Sequence, residues 1–498
     1  MASQVVLDRN KPAATSPGVP LPPPAIGLPD LPTDILLHVL QYLQIWEIVR
    51  CQCVATRAPY ELRSQGLHDT TAHEQSVKWK DLARSVASRY YHLSHGKPTG
   101  RLYYQNAAPH LGGMQTKPYL FRPSLWTYSD GLLVFAPAPA DDDTVISSRT
   151  ECKFSLLDLN TMQQVPVPFS VYDRVIRNIR LADRVLVIEW TPRKPFYSLN
   201  VMEKVHRHFV TCFDVKFDQA SRSWIVEFRS EFKNHILGFS LNSQDRFFSV
   251  HNARHYVVYF YEPNSTIYGA GRNETPVESL TVWDISSPSA YQPSADLSGK
   301  KGPPTDCGPC PVVYFSVDNL DAIGVRQHSQ IKLMSLGVDS EASNIIWREN
   351  VYETASGYFD PAERDWRAQT TIFPFLSFGP HQYKERDGYL PPYRGHASME
   401  SCDVEQDAIE KWFVPVMDVL DDDSGVRFSL VETVFSGLGV EQKLLIRVKV
   451  PWLGESGEYV VLRDDALVKE ITAMGRIAGD ERHLIGMNDK MELIVCHF

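Results

Sequence analysis

The sequence lacks the features of several common classes of protein. Its 498 residues include only 8 cysteines, which are too few for the disulfide framework of a small secreted domain. No apolar run approaches the roughly 18 residues of a membrane-spanning helix, and the first residues do not form a basic-then-apolar signal sequence. We therefore expect a soluble protein of a reducing compartment, the cytoplasm or the nucleus, with no membrane partner.

An excess of basic residues is missing as well. Asp and Glu number 60 against 50 Lys and Arg, so the net charge is −10, whereas a binder of nucleic-acid phosphates needs a basic surface. The phosphate-binding loop, the Gly-x-Ser-x-Gly turn of hydrolases and the His-Glu-x-x-His zinc motif are all absent from the sequence. The sequence predicts a chain that is not an enzyme, has no catalytic residue, metal or cofactor, and binds no nucleic acid.

Proline is abundant at the start of the sequence. Residues 1–32 contain 8 of the 34 prolines, including the run that begins at Pro22. Such a segment forms neither a regular helix nor a strand ladder, because proline lacks the backbone donor that both require. We predict a disordered leader over residues 1–27, with a proline-rich ligand for a partner's aromatic groove as the alternative.

Helical periodicity begins directly after this leader. The apolar residues recur at offsets of 0, 1, 4, 5 and 8, which trace one face of a helix. They are Ile35, Leu36, Val39, Leu40 and Leu43. A second short helix is predicted from Glu47, with Ile48 and Val54 on its apolar face, and a third over residues 76–91. Residues 28–100 are therefore predicted to form a small helical domain.

The hydrophobic period changes to two after residue 100. Short runs rich in Val, Ile, Phe, Tyr and Trp alternate with Gly, Pro, Asp and Asn, as in residues 184–190 and 256–260. These are strand signals, and no regular alternation with long helices follows, so residues 101–498 are predicted to be all-β. One short helix is predicted near Ala408–Phe413, ended by Pro415.

A weak internal repeat indicates the architecture of this β domain. A large apolar residue, Asp and an aliphatic residue recur at Asp158, Asp214 and Asp284, each after an apolar run. Such an Asp is expected near a strand end, where its carboxylate accepts hydrogen bonds from turn amides. We predict a degenerate β-propeller of six or seven blades, with a pair of β-sandwiches as the alternative.

The helical segment resembles the F-box motif. That motif opens with Leu-Pro, an acidic residue and pairs of Ile or Leu, and Leu31–Leu36 reads Leu-Pro-Thr-Asp-Ile-Leu. A Tyr-Leu pair at Tyr42, an acidic residue with an aliphatic one at Glu47, and Val54 follow in the order typical of the family. The resemblance therefore implies an α+β multidomain chain, in which a helical F-box domain precedes a propeller-like domain.

This resemblance implies a partner for the helical domain. F-box proteins bind the Skp adaptor of cullin–RING ubiquitin ligases, and a C-terminal repeat domain binds the substrate. The residues that the resemblance places at the adaptor are Leu31, Pro32, Ile35, Leu36, Val39, Leu40, Leu43, Ile48 and Val54. Residues 179–190, 205–215 and 479–498 are also similar to segments of fungal F-box proteins, although they identify no substrate.

The function implied is that of a substrate-recognition subunit of an SCF-type cullin–RING E3 ubiquitin ligase. Such a subunit would bind the Skp adaptor through the F-box and a protein substrate through the β domain. Two alternatives stay open. One is an F-box scaffold without a role in degradation, and the other is a β-propeller enzyme that uses Cys307 and Cys310.

Four arginines are the candidates for substrate binding. Arg174, Arg177, Arg180 and Arg184 form a loose basic cluster. An arginine cluster on a propeller face binds acidic or phosphorylated peptides through bidentate hydrogen bonds. Charged strand edges that discourage aggregation explain the same residues equally well.

Two further motifs indicate ordinary structure more than chemistry. Cys307-Gly-Pro-Cys310 has the spacing of a thioredoxin redox site, but the residues around it predict a tight loop before a strand, without the helix that activates the first thiol. His206 and His208 share one face of a predicted strand, but the sequence offers no third metal ligand beside them. The acidic runs at residues 141–143 and 421–423 are predicted to be surface loops.

Overall fold

The computed structural model describes residues 85–105, 125–136, 153–198, 204–234, 239–240, 246–262, 276–296, 308–328, 331–339, 341–354, 364–376, 412–421, 424–434, 443–450 and 459–498. Contacts divide the chain into two units, residues 1–87 and 88–498, and nearly all described residues belong to the second. The predicted leader and the first two predicted helices lie outside the described residues. Residues 85–94 are helical (α1), which confirms the described end of the third predicted helix.

The second unit is built from antiparallel sheets that follow one another along the chain. Blade 1 contains β2–β5, at Thr127–Ser129, Leu132–Phe135, Lys153–Asp158 and Gln164–Ser170. Blade 2 contains β6, β7, β10 and β11, at Arg174–Ala182, Val185–Pro192, Phe209–Asp218 and Ser223–Lys233. Blade 3 contains β13–β16, at Arg246–His251, His255–Glu262, Val277–Asp284 and Cys310–Phe315.

Three more sheets continue the same pattern. Blade 4 contains β17–β19, at Leu333–Asp339, Asn344–Thr354 and Arg364–Pro374. Blade 5 contains β20–β23, at Trp412–Leu420, Arg427–Val434, Lys443–Lys449 and Tyr459–Val461. Blade 6 contains β24–β26 and, as its outermost strand, β1, at Ile477–Gly479, His483–Met487, Glu492–His497 and Gly100–Gln105. In the part of the chain that is described, these six sheets form a propeller arrangement.

Strand β1 closes the ring. It pairs antiparallel with β26, from Gly100 opposite His497 to Gln105 opposite Glu492. Blade 6 therefore combines the first strand of the unit with its last three strands, so backbone hydrogen bonds hold the two ends of the unit in one sheet. The predicted propeller is confirmed with six blades in the described residues, and the alternative of two β-sandwiches is wrong.

The hydrophobic core lies between neighbouring blades. Leu132 and Val134 of blade 1 belong to the same buried cluster as Leu186 and Ile188 of blade 2. Further clusters join blades 2 and 3, blades 3 and 4, and blades 6 and 1. Strands β3 and β7 are buried on both faces by adjacent sheets, which explains why their sequences are continuous apolar runs instead of alternating ones.

The three repeated aspartates occupy one equivalent position in successive blades. Asp158, Asp214 and Asp284 each lie on the third strand, opposite the first residue of the second strand. Asp158 and Asp284 end their strands, and their carboxylates accept hydrogen bonds from the backbone amides of Asn160 and Ser286, both as predicted.

Asp214 differs from the other two aspartates, because its strand continues to Asp218 and its carboxylate lies 3.3 Å from Arg229 and 3.4 Å from Lys216. The prediction of a strand end is therefore wrong for Asp214. In blades 4 to 6 the equivalent residues are Pro374, Lys449 and His497, so the repeat is confined to blades 1 to 3.

Helices are few, and one predicted helix is contradicted. Within the described residues, α2 spans Val317–Ile323 and α3 spans Asp465–Ile471, where Asp464 caps the first turn by accepting from the amide of Leu467 at 2.9 Å. No helix of the described residues is long and apolar enough to cross a membrane.

The helix predicted near Ala408–Phe413 is wrong at its described end, because Trp412 and Phe413 begin strand β20. The apolar run there continues as a strand past Pro415, where the pairing register shifts.

A three-stranded ribbon lies outside the six blades. It is formed by β8, β9 and β12, at Tyr197–Ser198, Lys204–His206 and Phe239–Ser240, with β9 in the middle. The first two strands belong to the connection between β7 and β10 of blade 2. The ribbon is therefore an addition to that blade.

Buried polar groups fix the junction of blades 6 and 1. Asp480, in the turn after β24, accepts a hydrogen bond of 2.6 Å from the hydroxyl of Tyr128 and one of 2.9 Å from the amide of His483. The guanidinium of Arg482 lies 3.2 Å from Asp480 and 2.9 Å from Asp130 of blade 1. Burial raises the pKa of the Asp480 carboxyl, but the hydrogen bond from His483 and the charge of Arg482 outweigh it and hold that pKa well below its usual range.

We predict that Asp480→Asn lowers the free energy of unfolding by about 3 kcal/mol at pH 7. Breaking a buried ion pair usually costs about 3–5 kcal/mol. We expect the lower value here, because Arg482 keeps its ion pair with Asp130. Since the pKa is depressed in the folded state, this stabilisation is present above a pH of about 4 and is lost as the pH falls further. Urea unfolding at several pH values measures it, and Asp489→Asn, in an exposed turn, is the control.

A close backbone approach constrains Gly486 in the middle of β25. A Cβ atom at this position would lie 2.0 Å from the carbonyl oxygen of Ile471, at the end of α3. We predict that Gly486→Ala destabilises the propeller by roughly 1–3 kcal/mol, the usual cost of overpacking a core. Thermal unfolding followed by circular dichroism measures the loss. Gly100→Ala is the matched control, because nothing lies within 4 Å of its added Cβ, and an equal effect of both changes would contradict the argument.

Candidate functional site

The residues predicted to bind the Skp adaptor lie outside the described residues. They are Leu31, Pro32, Ile35, Leu36, Val39, Leu40, Leu43, Ile48 and Val54. Their role in adaptor binding stays a prediction. The candidate binding residues that the structure does place all belong to the propeller.

The four predicted arginines lie along the innermost strand of blade 2. Arg174, Arg177 and Arg180 belong to β6, and Arg184 is in the following turn, with a positive φ of 61°. The pairing of β6 with β7 shifts register between Ile176 and Asn178, next to Arg177. The four side chains reach different neighbours and do not share one partner.

Arg174 packs against aromatic rings at the start of β6. Its guanidinium carbon lies 4.0 Å from the ring centroid of Trp190 and 4.6 Å from that of Phe169. Burial lowers the pKa of Arg174, and the nearby Glu231 carboxylate opposes that shift. Arg174 is thus held by cation–π contacts in a partly buried setting.

Arg180 and Arg184 connect blade 2 with its neighbours. The Nε of Arg180 donates to Ser249 of blade 3 at 3.2 Å, and burial lowers its pKa against the opposing charge of Glu189. Arg184 pairs with Asp130 of blade 1, and its guanidinium lies 4.8 Å from the ring centroid of Trp224. Arg177 packs over Phe247 of blade 3 at 4.8 Å. These contacts show the three side chains bridging blades, while their predicted part in substrate binding stays a prediction.

A fifth arginine, which the sequence pattern missed, lies close to Arg180. Arg476 directly precedes the innermost strand of blade 6, and its guanidinium lies 5.5 Å from the ring centroid of Trp126. Burial, together with repulsion from Arg180, lowers the pKa of Arg476 to about 9. About 300 positions separate Arg180 from Arg476, so no local pattern in the sequence could have paired them.

Cys310, the described cysteine of the Cys-x-x-Cys motif, does not have the surroundings of an activated thiol. Cys310 is an exposed free cysteine at the first position of β16, and Cys307 lies outside the described residues. Partial burial and the charge of Asp284, which is paired with Cys310, raise the pKa of this thiol. A strand follows instead of a helix, as the sequence predicts, and the raised pKa is opposite to that of an activated thiolate.

The two histidines of the predicted strand are buried separately. The Nδ1 of His206 lies 2.9 Å from the carbonyl oxygen of Pro192, and the His208 ring packs on Phe247 with centroids 5.1 Å apart. Among the described residues, no group of three His, Cys, Asp or Glu side chains is placed to hold a metal ion.

We predict that Cys310 reacts slowly with iodoacetamide at pH 7.5 under reducing conditions. Because its pKa is raised, less thiolate is present in the folded chain than in the same chain unfolded in urea, and alkylation should be slower in the folded chain at every pH below the shifted pKa. Peptide mapping by mass spectrometry measures the rate at Cys310 alone. A faster rate in the folded chain would contradict the prediction.

Comparison with protein families identifies one domain outside the described residues. The F-box domain family matches residues 28–60. This range contains every residue that the sequence assigns to adaptor binding. A sequence comparison with curated proteins gives no match.

Several solved structures are weakly similar to this chain. A chain of the mitotic checkpoint complex is 7% identical, covers 81% of this chain and 95% of its own, and gives a TM-score of 0.32. The Sqt1 protein of Chaetomium thermophilum, bound to the N-terminus of ribosomal protein L10, is 9% identical, with coverages of 74% and 94% and a TM-score of 0.27. A glucose dehydrogenase is 10% identical, with coverages of 76% and 98% and a TM-score of 0.26. Similarities this low carry no argument about fold or function.

The family match and the six blades come from separate parts of the chain, and together they identify it. Residues 28–60 are an F-box domain, and residues 88–498 contain a propeller arrangement. The chain is therefore an F-box protein with a propeller-like C-terminal domain.

Proposed function

We propose that this chain is a substrate-recognition subunit of an SCF-type cullin–RING E3 ubiquitin ligase. The observation that carries the proposal is the F-box domain at residues 28–60 in the same chain as a propeller-like domain. F-box domains generally bind the Skp adaptor, and propellers present rigid surfaces for binding other proteins. In this proposal the F-box binds the adaptor and the propeller binds a protein substrate.

The apolar face of the first F-box helix supports docking on another protein. Its sequence spacing places five aliphatic residues, from Ile35 to Leu43, on one side of the helix. A domain of this size buries a small share of its own surface, so such a face is better covered by a partner. The adaptor is the partner that the F-box family implies.

The subunit would act by positioning and would catalyse nothing itself. Binding a substrate next to the ubiquitin-charged enzyme turns a bimolecular encounter into an intramolecular one with a high effective concentration. A closed ring of sheets suits this role, because its loops are held on a rigid frame. Arg174 is one of the four predicted arginines for substrate binding, and its guanidinium lies over the ring of Trp190.

We predict that Leu36→Asp combined with Leu40→Asp abolishes capture of the chain by purified Skp adaptor. Each buried leucine contributes roughly 1.5–3 kcal/mol, and a carboxylate in an apolar contact costs several kcal/mol more. The sum approaches the roughly 8 kcal/mol of a micromolar complex. Pull-down measures the capture, while circular dichroism and thermal unfolding of the propeller should be unchanged.

The matched control places the same two charges on the opposite side of the predicted helix. Leu37→Asp with Gln41→Asp has the same four-residue spacing but points away from the apolar face. This variant should keep most of its adaptor binding. Capture that survives the Leu36 and Leu40 changes would refute adaptor docking through this helix. A chain that binds the adaptor but supports no ubiquitin transfer to any bound protein would instead be a scaffold.

A further inference from the structure

The ribbon on blade 2 presents two neighbouring aromatic side chains to solvent. Phe196 is 57% exposed and Tyr197 is 59% exposed, although both lie in or beside a paired strand. The amide of Phe196 donates to the carbonyl oxygen of Val205 at 2.9 Å, so the backbone beneath the rings is held in place. Exposed aromatic residues on a fixed backbone are the usual anchors of protein interfaces.

The base of the ribbon is fixed to the start of β6. The amide of Arg193 donates to the carbonyl oxygen of Asp173 at 2.9 Å, and the Nδ1 of His206 lies 2.9 Å from the carbonyl oxygen of Pro192. These bonds bring the ribbon next to Tyr172, which is 55% exposed, and to Arg174. The ribbon therefore extends a surface that one of the predicted substrate-binding arginines already borders.

The charge around these rings is positive. Arg193, Lys194 and Lys204 are exposed, and the guanidinium carbon of Arg207 lies 3.4 Å from the ring centroid of Phe196. Residues 193–198 and 204–209 contain no Asp or Glu, and Glu203 in the connection between them is the one acidic residue of this stretch. These four cations lie in or next to one short ribbon, in contrast with the net charge of −10 of the whole chain.

We propose that these six residues, Arg193, Lys194, Phe196, Tyr197, Lys204 and Arg207, form a docking surface for an acidic peptide segment of a partner protein. The surface, here named the ribbon patch, binds carboxylates through its cations and apolar or aromatic side chains through its two rings. The inference deepens the proposed function and rests on it, because it gives the chemical class of substrate that the propeller selects.

The size and surroundings of the ribbon patch favour a peptide over a nucleic acid. The patch has only four cations, whereas a nucleic-acid strand needs a positive track along several phosphates. Asp173 is exposed at its base and interrupts the positive surface beside Tyr172. A peptide with a few carboxylates separated by aromatic residues matches both the charge and the rings.

The test measures the binding of defined probes to the full chain, alone and with the Skp adaptor added. The main probe is a fluorescein-labelled peptide with four Glu-Glu-Tyr repeats, and fluorescence anisotropy gives its dissociation constant. A Glu-Glu-Ser repeat, a Lys-Lys-Tyr repeat and an oligouridylate are the comparison probes. We expect the Glu-Glu-Tyr peptide to bind at least tenfold more tightly than any of them, and its affinity to fall as salt is raised.

Two variants separate the rings from the charges. Phe196→Ala with Tyr197→Ala, and Arg193→Glu with Lys194→Glu, should each weaken the Glu-Glu-Tyr peptide at least tenfold. Tyr314→Ala and Lys490→Glu are matched controls, because Tyr314 is 58% exposed on blade 3 and Lys490 is exposed in a turn of blade 6. The controls should change the affinity less than twofold, and thermal unfolding should show every variant folded.

Several outcomes would overturn the proposal. No binding of the Glu-Glu-Tyr peptide, equal loss in the control variants, or tighter binding of the oligouridylate would each do so. Concentration-dependent self-association that the ribbon variants abolish would assign the patch to a second copy of this chain instead. If the ribbon patch does not bind the peptide, adaptor capture stays intact. If the proposed function is wrong, adaptor capture is lost while peptide binding stays, so the two results are distinguishable.

Discussion

Strand β1 pairs along its whole length with β26, and this pairing joins the two ends of a ring made of six sheets. The core of the propeller lies between the blades, so each blade is covered only when both of its neighbours are in place. An open ring would expose the apolar faces of its first and last blades to water. The backbone hydrogen bonds of β1 hold blade 6 together, and the contacts between blades 6 and 1 then complete the core.

Buried carboxylates accept hydrogen bonds at two of the junctions between blades, from different donors at each. Glu278 of blade 3 is fully buried and accepts hydrogen bonds from the Tyr259 hydroxyl at 2.8 Å and from the amides of Gln327 and His328 at 2.8 and 2.9 Å. Asp480 has the corresponding role between blades 6 and 1, with other partners. These two junctions therefore use different polar residues, and each carboxylate accepts several hydrogen bonds.

The ribbon differs from the six blades because two of its described aromatic side chains, Phe196 and Tyr197, are exposed. Its connection to blade 2 is fixed by backbone bonds, yet its aromatic and basic side chains point into solvent. In a receptor, such an addition supplies specificity without disturbing the ring, since the blades carry the stability. In the proposed function, the F-box would bind the adaptor, which is the same for every substrate, and the propeller would bind the substrate itself.

The sequence by itself determined the order of the parts and the predominance of strands after residue 100. The residues from Leu31 to Val54 indicated the F-box, and the repeated Asp158, Asp214 and Asp284 indicated three successive blades, although two β-sandwiches stayed an alternative until the sheets were seen. These signals are local, since a motif or a strand pattern depends on residues that are close together in the sequence.

Sequence reasoning could not follow interactions between residues far apart in the chain. The pairing of β1 with β26, the approach of Arg476 to Arg180 and the contacts that separate the four arginines of blade 2 depend on how the sheets pack. It also mistook the start of β20 for a helix, because a short apolar run has no clear period and pairing with β21 decides its conformation. Tertiary structure decided these points because closure and packing between blades select among conformations that local preference leaves nearly equal.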